Sequence, residues 1–209
     1  MELGREINVG QTNFDAFKWM NESSISFRND ALIMYATKKS DFFCNHTPTA
    51  EVGITPENLT NAPFFYTEVT GDFVMKVKVS HEFKETYDSA SVMVMKDLHV
   101  WAKACFELTD FDTNAVVSVV TNEVSDDANG CNIDAKEVWL QIARLGNSFA
   151  FHYSLDGRKF DMMRFFSLPV EETVKVGLLA QAPLGQGGER VYEHFSLELK
   201  SVKNIRMGV

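Results

Sequence analysis

Two carboxyl groups, a lysine and a tryptophan fall within one predicted β-hairpin and could together bind a ligand. The hairpin joins residues 88–95 to residues 100–108 through a turn at Asp97-Leu98. A two-residue turn fixes which residues of the two strands lie opposite each other. The predicted opposed pairs are Asp88–Glu107, Ala90–Cys105, Val92–Lys103 and Val94–Trp101. This register predicts a face with two acids at one end and an indole ring at the other.

Such a face has the chemistry of a site for a small polar ligand. Opposed residues on neighbouring strands have Cβ atoms about 5 Å apart, so Asp88 and Glu107 are the candidate catalytic acids as well as candidate ligands. Lys103 lies roughly 13 Å along the strand from Glu107 and would bind the far end of a ligand. Trp101 would stack on the apolar face of a sugar. The alternative is a solvated sheet face on which Trp101 is partly covered by a loop.

A second group of candidate ligand-binding residues lies in the segment 137–166. Two turn pairs, Gly146-Asn147 and Asp156-Gly157, predict three antiparallel strands there. In the implied register Trp139, Gln141 and His152 lie on the face away from the core, and Asp161 lies beside His152. Asp161 could raise the pKa of the His152 ring. A surface hydrogen-bond ladder is the alternative interpretation of this row, and the one we favour.

Neither a metal site nor a cofactor site is predicted. The five histidines are scattered, with no pair of histidines or cysteines at ligand spacing. The acidic segment Ser125 to Asn132 is predicted to be a loop; it could bind calcium, but solvated loop acids are commoner, so we expect no metal. The segment Gly185 to Gly188 lacks the lysine and hydroxyl residue of a phosphate-binding loop.

Residues that alternate between apolar and polar types predict about a dozen antiparallel strands and no helix longer than a turn or two. Strands of this kind bury their apolar faces most economically as two packed sheets, with a barrel as the alternative. We therefore predict one all-β sandwich domain over residues 1–209. The long connection from Lys38 to Pro63 is either a functional loop or a covering flap.

Composition excludes several classes of partner. The chain of 209 residues has a formal net charge of −9 and a pI of about 5.0, so it has no electrostatic reason to bind nucleic acid or an anionic membrane. No apolar run approaches the roughly 18 residues of a membrane helix. The start of the chain lacks a secretory signal pattern, and the three cysteines are widely spaced. Both features predict a reduced, cytoplasmic protein.

Several sequence blocks carry a family resemblance. They are, in order, YTEVTGDFVMKVKV, YDSASVMVMKDLHVWAKACFE, VVSVVTNEVSDD, VWLQIARLGNSFAFHYSLDGRKF and VKVGLLAQAP. Over roughly Asp41 to Leu199 the chain resembles the regulation-of-enolase-like family of unknown function. That resemblance implies a jelly-roll sandwich of the concanavalin A-like lectin and glucanase type, a carbohydrate-sized groove on one sheet, and a regulatory role in carbon metabolism.

Two functions of different class follow. The first is a non-catalytic binding module for a sugar, a sugar phosphate or a protein partner. The second is a carbohydrate-active hydrolase. Retaining glucanases of the resembled fold carry a Glu-x-Asp-x-x-Glu motif, and the nearest string here, Asn132 to Glu137, lacks the first acid. Because glycoside hydrolysis needs two carboxyl groups at a set separation, the missing motif favours the binding module.

Overall fold

A computed structural model of the chain describes residues 8–9, 12–45, 59–82 and 84–209. The described residues form β-strands and contain no helix. Strands occupy more than half of the chain, as the alternating sequence pattern predicts.

The strands of the first half are β1 (Asn8–Val9), β2 (Thr12–Asn13), β3 (Lys18–Met20), β4 (Ile25–Arg28), β5 (Ala31–Thr37), β6 (Phe42–Phe43), β7 (Leu59–Thr60), β8 (Phe64–Thr70), β9 (Phe73–His81) and β10 (Ser89–Asp97). Those of the second half are β11 (Val100–Leu108), β12 (Asn114–Asn122), β13 (Val124–Asn132), β14 (Glu137–Leu145), β15 (Ser148–Ser154), β16 (Asp161–Ser167), β17 (Thr173–Gln181) and β18 (Gly187–Glu198).

Within the described residues, fourteen of these strands form two seven-stranded sheets with antiparallel pairing throughout. Sheet I has the order β13-β12-β11-β10-β17-β8-β3, and sheet II has the order β16-β15-β14-β9-β18-β5-β4. The two sheets pack face to face. The fold is therefore the all-β, two-sheet antiparallel jelly-roll sandwich of the concanavalin A-like type, and the prediction of this class is confirmed.

The core lies between the inner faces of the two sheets. Alternate residues of each strand point inward because successive side chains of a strand point to opposite faces. Sheet I contributes β-branched and small residues such as Val92, Ala104 and Val176, and sheet II contributes larger ones such as Met75 and Phe151. In β9 the inward residues are Phe73, Met75, Val77 and Val79, as the alternation of apolar and polar residues in its sequence indicates.

The predicted register of the β10–β11 hairpin is wrong by one residue. Met95 pairs with Trp101 and Asp97 pairs with Val100, so Lys96 is an extra residue that forms a bulge. The Oδ1 atom of Asp97 accepts hydrogen bonds from the backbone N–H groups of His99 at 2.8 Å and Val100 at 3.0 Å, which fixes this turn. A shift of one residue reverses the faces of β10 while those of β11 stay as predicted.

The three predicted antiparallel strands of the segment 137–166 and the first turn are confirmed, whereas the connection at Asp156-Gly157 is longer than the predicted two-residue turn. Leu145 pairs with Ser148 across Gly146-Asn147, and Gln141 pairs with His152. Strands β15 and β16 are instead joined by a longer connection, in which the Asp156 side chain accepts hydrogen bonds from two backbone N–H groups. A register shift near His152 then places Met162, not Asp161, opposite that ring.

The acidic segment Ser125 to Asn132 is not a loop. It forms most of β13, the edge strand of sheet I, and pairs with β12. Asp126 forms an ion pair with Arg164 of sheet II at 2.9 Å. Exposed charged residues are common on edge strands because they disfavour further strand pairing, which explains why this strand lacks the usual strand composition.

Each sheet carries an additional segment on its outer face. On sheet I the chain crosses the strands between a bridge of Ser40 with Ala182 and hydrogen bonds of Cys44 with Ser125. On sheet II the residues 199–209 cover the outer face, where Val202 packs against Val74 and Ala143. In its described parts the connection from Lys38 to Pro63 therefore covers sheet I, which is one of its two interpretations, and residues 46–58 lie outside the described residues.

Candidate functional site

The residues from Ser40 to Cys44, which cross the strands of sheet I, are called the crossing segment below. A cleft of about 400 Å³ opens beside this segment on the outer face of sheet I. Strands β11, β12 and β13 form its floor, and the connections around them form its rim. The described lining residues are Asp41, Phe43, Tyr87, Lys103, Glu107, Asp110, Phe111, Val117, Val119, Asp127, Asn129, Gln181 and Pro183. A cleft of this volume accommodates a small ligand.

The floor contains a buried ion pair. Lys103 Nζ donates to Asp41 Oδ1 at 2.8 Å and to Gln181 Oε1 at 3.1 Å. Gln181 Nε2 and the backbone N–H of Phe42 donate to the same Asp41 oxygen, at 2.6 and 2.7 Å. Burial by itself lowers the pKa of Lys103, but the neighbouring Asp41 carboxylate outweighs it and the pKa is raised. The lysine is therefore held charged, and its charge is balanced by Asp41.

Glu107 presents a carboxyl group to the cleft without a protein partner. The residue is only 8% exposed, and no described residue donates a hydrogen bond to its carboxyl group, whose oxygen atoms are open to the cleft. Burial raises the pKa of Glu107 well above its ordinary value; Lys103 opposes this, while Asp127, Asp41 and Asp110 add to it. Folding therefore favours the protonated form of Glu107, which can donate as well as accept a hydrogen bond.

The rim carries aromatic side chains. Phe111 lies in the β11–β12 connection and is 73% exposed, and Phe43 and Tyr87 are half-buried. Tyr87 has a φ of 70°, a left-handed conformation that is uncommon for a residue with a large side chain. Burial, with the nearby Asp110, raises the pKa of Tyr87 to about 12, so the phenol stays protonated.

Cys105 lies between Lys103 and Glu107 on the same strand but does not act as a nucleophile. Its side chain is fully buried, and burial raises the pKa of the thiol to about 12. Because the thiolate is the reactive form, this cysteine is inert at neutral pH.

Of the residues predicted for this site, Lys103 and Glu107 lie in the cleft and Asp88 does not. Ser89, not Asp88, pairs with Glu107, because the bulge at Lys96 shifts the register. Asp88 shares the inward face of Ala90 and forms an ion pair with the buried Arg190 at 3.4 Å. Asp88 and Glu107 therefore do not lie opposite each other, and the predicted pairing of these two acids is wrong.

Trp101 lies on the predicted face but offers no stacking surface. It has no exposed area, because Phe42 of the crossing segment packs edge-on against its ring at a centroid distance of 5.7 Å. The indole Nε1 donates to the carbonyl of Leu98 at 3.2 Å. The ring therefore anchors the crossing segment on sheet I.

The second predicted group, Trp139, Gln141 and His152, lies on the outer face of sheet II, on the opposite side of the sandwich from the cleft. Trp139 stacks on His194 at 5.4 Å. Gln141 and His152 form a hydrogen bond of 3.2 Å and are buried beneath residues 199–209. Burial lowers the pKa of His152. The structure therefore separates the two predicted groups.

Sequence reasoning missed several lining residues. Asp41 and Phe43 lie in the long connection that could be functional, but no motif indicates their roles. Asp127 belongs to the acidic segment, and only the pairing of β13 with β12 places it in the floor of the cleft, opposite Val119. Gln181 is the last residue of β17, and no motif indicates its contact with Lys103.

The side chains of the described residues do not form a cluster of metal ligands. Within residues 8–9, 12–45, 59–82 and 84–209, no three side chains of histidine, cysteine, aspartate or glutamate come together to hold one. The same described residues include no helix long and apolar enough to cross a membrane.

Two antiparallel sheets packed face to face, with a cleft on one outer face, define a concanavalin A-like β-sandwich protein. Residues 19–200 match the model of the family described as "Protein of unknown function (DUF1349)". The chain belongs to this family. A search of curated proteins found no significant match.

Solved structures share the fold at low sequence identity. A functionally unknown protein from Saccharomyces cerevisiae superposes with a TM-score of 0.78 at 24% identity, over 90% of this chain and 99% of the yeast chain. A xylan beta-1,4-xylosidase from Bacillus halodurans gives 0.67 at 12% identity, over 95% of this chain but only 40% of the enzyme. The carbohydrate-binding module CBM66 from Bacillus subtilis gives 0.53 at 11% identity, over 88% and 95% of the two chains. These likenesses concern the fold alone.

Proposed function

We propose that the protein is a non-catalytic binding module whose cleft on sheet I recognises a carbohydrate. The observation that carries this proposal is Glu107, whose carboxyl group has no hydrogen-bond donor among the described residues and faces a cleft with the exposed ring of Phe111 at its rim. A carboxyl group that faces a cleft without a protein partner is available to hydrogen-bond a ligand hydroxyl. An exposed ring beside it suits the apolar face of a sugar.

The comparisons support the carbohydrate class without identifying the sugar. The similar structures include a carbohydrate-binding module and a xylan beta-1,4-xylosidase. This chain spans nearly the whole of the former and less than half of the latter.

Titration calorimetry with xylo-oligosaccharides and xyloglucan oligosaccharides tests the proposal. We expect Phe111→Ala to weaken binding by about 1 kcal/mol, which is roughly fivefold, because the stacking surface is lost. Glu107→Gln is expected to weaken binding through the lost carboxyl contact. Matched controls are Phe165→Ala, an exposed ring on sheet II, and Glu68→Gln, a carboxylate on β8 remote from the cleft. Equal losses in the control variants would overturn the proposal, and so would a lack of binding by every sugar tested, including oligomers of glucosamine and N-acetylglucosamine.

A hydrolase is the second candidate, and the raised pKa of Glu107 favours it. A general acid in glycoside hydrolysis must be protonated near neutral pH, and Asp127 provides another carboxyl group in the same cleft. Turnover of a panel of chromogenic glycosides that is abolished by Glu107→Gln and kept by Glu68→Gln would establish this activity in place of simple binding.

We further propose a cytoplasmic, single-domain protein with a regulatory role in carbon metabolism, as the family resemblance implies. A sugar ligand or a protein partner would be the regulating species. Fractionation of cells that express the tagged chain checks the location, and recovery in a secreted fraction would contradict it.

A further inference from the structure

The charges that line the cleft are unbalanced. Its described lining residues include four carboxylic side chains, Asp41, Glu107, Asp110 and Asp127, and one basic side chain, Lys103. Lys103 is paired with Asp41 at 2.8 Å, so this pair is neutral overall. No salt bridge among the described residues joins Glu107, Asp110 or Asp127. The cleft therefore presents three carboxyl groups that form no ion pair with a described residue, and the nearby Lys103 is already paired with Asp41.

These groups lie close enough to affect one another. Asp127 and Asp110 both raise the pKa of Glu107, after the larger effect of burial, and Asp110 and Glu107 both act on Tyr87. Burial also raises the pKa of Asp127, although its side chain keeps an exposed surface. Repulsion among like charges in a partly dry cleft is relieved when a cation binds between them.

A metal ion does not fit this arrangement. The carboxyl groups come from different elements, and no three metal-binding side chains converge in the described part of the chain. Phe111, Phe43 and Tyr87 lie around them instead. Aromatic faces attract organic cations, and an ammonium group offers three N–H donors for separate acceptors.

We propose that the cleft recognises a protonated primary amine, with Glu107 as the buried acceptor and the rim aromatics against the adjoining carbon atoms. Combined with the carbohydrate function proposed above, on which this part rests, the ligand is an amino sugar. A sugar phosphate is disfavoured, because the lysine that lines the cleft is already neutralised by Asp41. The net charge of −9 also attracts cations to the protein.

Binding of an ammonium group should change the protonation of Glu107. Glu107 faces Lys103 and Cys105 on its own strand, Asp127 on β13, Asp41 on the crossing segment, and Asp110 and Tyr87 at the rim. A bound cation favours the ionised carboxylate, so Glu107 releases a proton as the amine binds. Affinity for an amine therefore rises with pH as long as the amine stays protonated.

Three probes separate the two proposals in titration calorimetry on the full chain. They are the trimer of β-1,4-linked glucosamine, the matched trimer of N-acetylglucosamine, and spermidine. We expect the amine trimer to bind about tenfold more tightly than the acetylated trimer, because a charge-assisted hydrogen bond is worth at least about 1.4 kcal/mol. Glu107→Gln should abolish this preference, and Glu68→Gln should keep it. Titrations in buffers of different ionisation enthalpy should show proton release with the amine alone.

The outcomes are distinct. Equal affinity for the two trimers overturns amine recognition and leaves the carbohydrate function standing. Binding of spermidine with the same dependence on Glu107, without binding of either trimer, supports amine recognition and overturns the carbohydrate function. If no probe binds, or glucosamine 6-phosphate binds more tightly than glucosamine, amine recognition is overturned.

Discussion

At the scale of single residues, the cleft depends on one buried ion pair, which Lys103 forms with Asp41. Both side chains are almost fully buried, and Asp41 Oδ1 also accepts hydrogen bonds from Gln181 and from Phe42. Burying a charge is costly unless the partner and its hydrogen bonds remain in place. The pair therefore ties the crossing segment to strands β11 and β17.

Removing one partner of this pair should be strongly destabilising. We expect Asp41→Asn to lower the free energy of unfolding by about 3 kcal/mol, because the charge of Lys103 stays buried without a counter-charge. The double variant Asp41→Asn with Lys103→Met should recover part of that loss. Urea denaturation of the single and double variants measures both effects. A loss below about 0.5 kcal/mol for Asp41→Asn, the level of an ordinary surface change, would contradict this role.

Ionisation of Glu107 should lower the free energy of unfolding as the pH rises. Its pKa in the folded protein lies above the ordinary value of 4.5, so its stabilising contribution is complete below about pH 4.5 and is lost as the pH rises through the folded-state pKa. Glu107→Gln removes this titration. We expect the variant to be more stable than the wild type by about 1 kcal/mol or more at pH 8, with the difference shrinking towards pH 4. Urea midpoints across this range test it, and a constant difference would contradict it.

At the scale of elements, one turn decides which residues meet in the cleft. The side chain of Asp97 closes the β10–β11 turn and leaves Lys96 outside the pairing. With a plain two-residue turn, Ala90 and Val92 would face outward and Asp88 would oppose Glu107. Instead, Asp88 reaches Arg190 inside the sandwich.

Asp97→Ala should weaken this hairpin while Asp97→Asn should not. Alanine leaves the N–H groups of His99 and Val100 without their acceptor, which we expect to cost about 1 kcal/mol, as for the loss of other side-chain caps. Asparagine keeps an oxygen at the same position. Denaturation midpoints of the two variants give the comparison, and equal stability of the alanine and asparagine variants would show that the cap does not hold the register.

The same hairpin shows what a sequence can and cannot predict. Alternation along β11 correctly placed Lys103 and Glu107 on the outer face, because the pattern lies within one strand. The pairing of Asp88 depended on a bulge, and no local residue pattern distinguished that bulge from a tight turn. Asp41 and Gln181 meet Lys103 only through contacts between residues distant in sequence. The sandwich was therefore predictable from periodicity, whereas most of the cleft was not.

At the scale of the whole molecule, the two outer faces are covered in different ways. The crossing segment leaves a cleft open beside it on sheet I. On sheet II, residues 199–209 cover the polar side chains of Gln141 and His152. His152 Nε2 lies 3.2 Å from the carbonyl oxygen of Arg206, and His152 Nδ1 lies 3.2 Å from Gln141 Nε2. Gly208, at a φ of 71°, packs so closely on these side chains that a Cβ atom would collide with Gln141.

This covering segment should make stability depend on pH through His152. Burial lowers the pKa of the ring below its ordinary value of 6.5, so the folded protein favours the neutral form. The stability that this provides is complete above about pH 6.5 and is lost as the pH falls towards the folded-state pKa. We expect the free energy of unfolding of the wild type to drop by about 1 kcal/mol more than that of His152→Gln between pH 7.5 and pH 5.

A variant without residues 203–209 separates the segment's effect from other causes. Without the cover His152 becomes exposed, so its pKa should return towards the ordinary value and the additional pH dependence should disappear. Titration of the ring protons by NMR measures that pKa directly in the full and shortened chains. His99→Gln, at an exposed histidine paired with Glu123, is the matched control and should keep the dependence of the full chain. If His152 titrates at the same pH in both chains, residues 203–209 do not set its protonation, and burial within sheet II alone is the cause.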